Sequence, residues 1–199
     1  SQSTVAVTIV GTNDTPIAIA DAFGATGQAL AGQILEDGGA RVLNVLANDT
    51  DVDANDTVTS FVVISATSAK GATITGVPGT SIGYNPNTAA FQSLAQGETT
   101  TDTITYVMRD SGNLTSTGTA TVTVVGTNDA PTVVADTGLT FKLGSLIVVA
   151  ANGLLANDSD IDGPQSDLRV SAFQATSALG ATVIVNADGS YTYNPTTST

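Results

Sequence analysis

The octapeptide "LANDTDVD", Leu46 to Asp53, returns as "LANDSDID", Leu155 to Asp162. Each copy sets three carboxylates at alternate positions: Asp49, Asp51 and Asp53 in the first, Asp158, Asp160 and Asp162 in the second. Like charges so spaced repel one another unless something positive sits among them. The chain offers few cations of its own, with five Lys plus Arg and no His against 18 acidic residues. The near-identity of the two octapeptides, 109 residues apart, is the mark of an internal repeat, and that repeat decides the architecture.

Further matches run in the same order on either side. "VTIVGTNDTPIAIAD" (Val7 to Asp21) aligns with "VTVVGTNDAPTVVAD" (Val122 to Asp136), 115 residues apart from Gly11 to Gly126. "ATSAKGAT" (Ala66 to Thr73) aligns with "ATSALGAT" (Ala175 to Thr182), and "YNP" at Tyr84 with "YNP" at Tyr193, both 109 apart. The six-residue change of offset falls between Asp21 and Leu46, where the first copy is longer. "STVAVTIVGTND" from Ser3 also aligns with "GTATVTVVGTND" from Gly118. Residues 1–12 therefore read as the last strand of a preceding repeat, 13–126 as a complete repeat, and 127–199 as a second repeat that stops before its final strands.

Within each repeat the pattern is that of strands. "TVAVTIV", "TSFVVISA", "TDTITYVM" and "TATVTVV" alternate or run apolar in Val, Ile, Thr and Tyr, with Gly, Asn, Asp and Pro between them. "NTAAFQSLAQGE" (Asn87 to Glu98) has room for one helical turn, with Phe91 and Leu94 filling the core. About seven short strands per hundred residues predict an all-β fold, a tandem of immunoglobulin-like β-sandwich domains.

Composition narrows the function. A formal net charge of −13 argues against nucleic acid, and equally against an anionic membrane surface. No window is long and apolar enough for membrane insertion. Without Cys or His, the N and S ligands of Zn, Cu and Fe are missing, which leaves hard, oxygen-binding cations. The usual nucleophile–base pairs are missing too, so an enzyme is not expected. A carboxylate pair of the glycosidase kind would need a cleft rather than loops at the ends of a sandwich. No signal peptide opens the sequence, which reads as a cut-out from something longer.

"LAQGETTTDTITYVMRDSGNLTSTGTATVTVVGTNDAP" resembles the closing half of VCBS-type repeats. "GTNDTP", "LANDTDVD" and "YNP" resemble the related cadherin-like tandem repeats of large bacterial surface proteins. The resemblance covers nearly the whole chain. It implies stacked β-sandwich domains, often calcium-binding, in secreted adhesins and biofilm matrix proteins, with an extracellular or cell-surface location and frequent export through a type I channel.

An immunoglobulin-like topology then places the acids. With strand B at Arg41–Leu46, C at Val58–Ser65, F at Thr103–Met108 and G at Thr117–Val125, the B–C and F–G loops share the pole where the chain enters. Asn13, Asp14, Asp49, Asp51, Asp53 and Asp110 should converge there. Asn128, Asp129, Asp158, Asp160 and Asp162 should do so in the second repeat. Glu36, Asp37 and Glu98 are expected in solvated loops at the opposite pole, with Asp102 near them. Calcium takes six to eight oxygens from carboxylates and carbonyls, and the resemblance to cadherin linkers, which also carry "ND", implies Ca2+ between neighbouring repeats. An EF-hand fails on spacing: Ala54 and Ser60 occupy the sixth and twelfth positions from Asp49, and Arg169 the twelfth from Asp158. Asx-turns that bind nothing are the competing reading of the same residues.

Three functions follow. The first is a structural extender whose stiffness is set by interdomain calcium. The second is a filament or sheath subunit in which copies of the chain exchange strands. The third is a carbohydrate- or cell-surface-binding module, which the absence of Trp and the scarcity of Tyr disfavour.

Overall fold

A computed structural model describes residues 2–24, 32–53, 60–63, 65–77, 81–137 and 144–195. It divides into two compact units, Ser1–Thr127 and Asn128–Thr199. Parts of the expected B–C loop and strand C, residues 54–59 and 64, lie outside the described residues.

The first unit contains β1 (Asp21–Phe23), β2 (Ile34–Leu35), β3 (Arg41–Leu43), β4 (Ser60–Val63), β5 (Thr73–Val77), β6 (Ser81–Asn85), β7 (Thr99–Arg109) and β8 (Thr115–Val125). One sheet has the order β1-β8-β7-β4, with β2 also pairing to β8, and the other is β3-β6-β5. β1 and β2 run parallel to β8, and the remaining pairs are antiparallel. The β7–β8 hairpin is the spine. Its residues alternate, so Ile104, Tyr106 and Met108 face inward on β7, and Ala120, Val122 and Val124 on β8. They pack on Leu43, Ile74, Ile82 and Tyr84 from the opposite sheet, with Val45, Leu46 and Phe91 completing one core. This is an all-β sandwich, as the alternation predicts.

Two positions in the hairpin depend on size. Tyr106 lies opposite Gly118, and a Cβ at Gly118 would stand 2.3 Å from the ring carbon Cζ. The glycine makes room for the ring. At the F–G turn Asn113 has φ 74°, a left-handed conformation that Asn tolerates better than most residues.

The expected helical turn after "YNP" is a run of tight turns, in which the Phe91 N–H donates to Thr88 O and the Leu94 N–H to Phe91 O. It carries Phe91 fully into the core. Asp102 departs from expectation. It is 1 % exposed inside the sandwich and accepts bonds from the hydroxyls of Ser68 and Tyr84 and the N–H groups of Lys70 and Thr103. An inward-facing position of β7 holds a carboxylate because donors from both sheets surround it. Glu36 is also buried rather than solvated, and accepts from the Thr127 N–H. Asp37 and Glu98 are exposed. Residues 4–10 form no strand pairing in the structure, despite their strand pattern.

The second unit contains β9 (Leu146–Val148), β10 (Thr182–Val185) and β11 (Tyr191–Asn194), in one antiparallel sheet of order β10-β11-β9. It repeats β5-β6-β3. Tyr193 pairs with Leu146 as Tyr84 pairs with Arg41, and the Thr176–Thr182 bridge repeats Thr67–Thr73. No counterpart of the β7–β8 sheet occurs among its described residues.

Candidate functional site

The repeated octapeptide works on the incoming linker. In the first unit Leu46 is buried and anchors the loop in the core. Asn48 then donates to Ile19 O and Ala20 O, while Asp49 accepts from the Ile19 N–H at 2.7 Å. Thr50 forms a two-way backbone bridge with Ile17. Asp51 accepts from the Asp53 N–H at 2.9 Å, an Asx-turn. Asp53 in turn accepts from the Asp14 N–H at 2.7 Å. Across the loop, Asn13 donates to Asp110 at 3.0 Å, and Asp110 also accepts from the Leu114 N–H to close the F–G turn.

The second unit builds the same clamp. Asn157 donates to Val134 O, and Asp158 accepts from the Val134 N–H at 2.8 Å. Ser159 bridges Thr132, Asp160 accepts from the Asp162 N–H, and Asp162 accepts from the Asp129 N–H at 2.5 Å. In each unit the Asn side chain of "TND" donates to the carbonyl of the next Asp: Asn13 to Asp14 and Asn128 to Asp129.

The structure thus links Asn13, Asp14, Asp51, Asp53 and Asp110 at one end of the first unit. It links Asn128, Asp129, Asp160 and Asp162 in the second. Asp49 and Asp158 point elsewhere, to the backbone of the segment that follows the linker. Each carboxylate of the octapeptide accepts from one backbone N–H. In the first unit Asp51 Oδ2 is buried and has no hydrogen-bond partner. Among the described residues of that unit, no three carboxylates bring one oxygen each within 4.8 Å of one another.

Beneath the clamp lies a group that sequence reasoning treated only as core. The Tyr106 hydroxyl stands 2.8 Å from Val45 O, 3.0 Å from Asp21 Oδ2 and 3.2 Å from Asp49 Oδ2. One phenolic hydrogen faces three acceptors. Burial, then the Asp21 and Asp49 charges, push the Tyr106 pKa well above the usual phenol range. Burial also raises the Asp21 carboxyl. The Tyr106 hydrogen bond opposes that shift and the Asp49 charge adds to it. The available signal was the matched "IAIAD" and "TVVAD" that end on Asp21 and Asp136. With Tyr84 and Tyr106 wholly buried, these two rings form no stacking platform.

Two facing sheets, a long central hairpin and a linker held by one pole define an immunoglobulin- and cadherin-like sandwich module. A family model described as bacterial Ig domain matches residues 13–123, more than half of the chain, and the chain belongs to that family. A model described as cadherin-like domain matches residues 127–199. The VCBS-type likeness is not among the matching models. No curated protein matches the sequence. Among solved structures, the chain is similar to the extracellular cadherin domains 1–5 of protocadherin gamma B2, with 16 % identity and a TM-score of 0.40. That match covers 92 % of this chain and 33 % of the protocadherin, so the chain spans about a third of that protein's length. Among the described residues no helix is long and apolar enough to cross a membrane.

Proposed function

We propose that the chain is an extender segment of a secreted bacterial surface or matrix protein, with Ca2+ bound at the linkers and setting their stiffness. Bacterial Ig and cadherin-like domains serve as structural or adhesive modules of surface proteins, and this chain carries one of each in tandem. The observation that carries the calcium reading is the clamp, built twice at the point where a linker enters a sandwich. In the first unit it leaves Asp51 Oδ2 buried without a donor. A buried carboxylate oxygen with no hydrogen bond is costly unless something positive reaches it. The chain's few Lys and Arg make a bound cation the natural partner.

Asp14, Asp51, Asp53 and Asp110 with the Asn13 carbonyl oxygen would hold the ion in the first unit, and Asn128, Asp129, Asp160 and Asp162 in the second. All are hard oxygen donors, which suits calcium. Within the first unit Glu36 and Asp37 accept from Thr127. The ion would offset the mutual repulsion of these carboxylates and fix the linker against its own sandwich.

Calorimetric titration of the chain with calcium, repeated on Asp51→Asn/Asp53→Asn, tests the assignment. Binding that the double substitution abolishes at one site supports it. Calcium heats identical in both proteins would assign the ion elsewhere.

A further inference from the structure

We propose that Asp21 is a pH-sensitive latch in the first unit: a proton on its carboxyl ties β1 to Tyr106 in the core, and loss of that proton loosens the tie. The inference rests on a count of hydrogens.

Tyr106 is wholly buried, and its hydroxyl oxygen lies 2.8 Å from Val45 O, 3.0 Å from Asp21 Oδ2 and 3.2 Å from Asp49 Oδ2. All three contacts are short enough for hydrogen bonds, but a phenol brings a single hydrogen. With both carboxylates ionised, that hydrogen satisfies one contact, and the other two set oxygen lone pairs against each other. A proton on Asp21 supplies the second hydrogen. Asp21 then donates to the Tyr106 oxygen, while the Tyr106 hydroxyl donates to Val45 O or to Asp49. The same proton removes one of the two negative charges gathered at that oxygen.

The groups that act on the Asp21 carboxyl are Tyr106 from β7, and Asp49 and Asn48 from the octapeptide. Asn48 shares its amide with the carbonyls of Ile19 and Ala20. β8 sets Ala120, Thr121 and Val122 beside β1, and none of these carries charge. Arg41 of β3 lines the groove next to Ala22 and Phe23, yet neither it nor any other cation is among the groups acting on Asp21. Burial raises the Asp21 pKa most, and the Asp49 charge adds to it, so the surroundings favour the protonated form that the hydrogen count asks for.

The place of Asp21 in the chain gives the proton its effect. Asp21 opens β1, a strand of three residues. The octapeptide holds Ile17, Ile19 and Ala20 just before it, by bonds at the surface. The Asp21–Tyr106 contact is where that anchoring passes to the core. Loosening it reaches β1 first and leaves the eleven-residue β7–β8 pairing in place. Neither Asp21 nor Tyr106 belongs to the proposed cation set, so the latch stands or falls apart from the proposal above.

Carbon-13 NMR of the chain labelled in its Asp carboxyls, in excess EDTA, reads the proton directly. The Asp21 signal is the one missing from Asp21→Asn. Its midpoint is expected above the ordinary value of 3.8. Amide exchange, corrected for the intrinsic rate at each pH, reads the tie. Protection of β1 amides relative to β8 amides should fall several-fold as pH rises through that midpoint. Asp21→Asn keeps a side-chain hydrogen facing Tyr106 at every pH, and should hold β1 protected on both sides of it. An Asp21 midpoint at or below 3.8 overturns the inference. So does β1 protection that is unchanged across the midpoint, or that falls equally in Asp21→Asn.

Discussion

Asp102→Ala removes one acceptor from four donors inside the first sandwich. The Ser68 and Tyr84 hydroxyls are fully buried at that point, and the Lys70 and Thr103 N–H groups partly so. A buried donor left without an acceptor costs about 1–3 kcal/mol. The two hydroxyls alone amount to about 2–6 kcal/mol by that figure. Relief from burying a charge offsets part of this, while the half-exposed backbone donors regain water. A net loss of about 2–4 kcal/mol is expected, the unmade-donor cost less that relief. That is a large share of the roughly 5–15 kcal/mol by which a domain is stable. Tyr84→Phe, which removes one donor and leaves the carboxylate three, should cost about 1.5–3 kcal/mol.

The assay is urea unfolding followed by far-UV circular dichroism, with native-state hydrogen exchange read strand by strand. Exchange is needed because two units need not unfold as one, and a single unfolding free energy would then mix them. Protection of β7 and β8 amides should fall in Asp102→Ala, while that of β10 and β11 stays unchanged. The double substitution Tyr84→Phe/Asp102→Ala should be far less damaging than the sum of the singles, because the two residues share a bond. A loss below about 1 kcal/mol in Asp102→Ala, or additive effects in the cycle, would refute the network as a source of stability.

Gly118→Ala should destabilise the first unit by about 1–3 kcal/mol, since the new methyl collides with the Tyr106 ring, and thermal unfolding checks it. Asp53→Ala should release the Asp14 N–H, so the Asp14 amide should exchange faster while core amides of β8 do not. The raised Asp21 pKa carries a definite sign. A folded-state value above the unfolded one favours folding below the unfolded pKa, and the benefit is lost as pH rises through the folded value. Asp21→Asn, which never ionises, should therefore gain stability relative to the parent between pH 3.5 and pH 7, as paired urea titrations at both ends would show.

The sandwich was legible because its inward residues alternate without interruption in β7 and β8, and because the repeat gives each turn twice. The pole was legible for the same reason: an immunoglobulin topology brings the "TND" linker, the "NDTDVD" loop and the "RDSGN" loop to one end. The three carboxylates of each octapeptide read alike in sequence. In a loop that turns as it leaves β3, alternate positions do not share a face, and Asp49 and Asp158 turn to the backbone behind the linker. Asp102 was misplaced because it stands just before the expected strand F, among acids of the opposite pole, and its donors Ser68, Lys70 and Tyr84 come from elements far away in sequence.

A cation at the linker clamps is the centre of the proposed function. Thermal unfolding of the chain in excess EDTA, in millimolar calcium and in millimolar magnesium measures it directly. A native-state site held at a hundred times its Kd adds about 2.7 kcal/mol. The expected result is a clear rise in Tm with calcium that magnesium does not reproduce, and that Asp51→Asn/Asp53→Asn diminishes. Coincident melting curves in all three buffers would contradict it and leave the repeated carboxylates as hydrogen-bonding clamps alone.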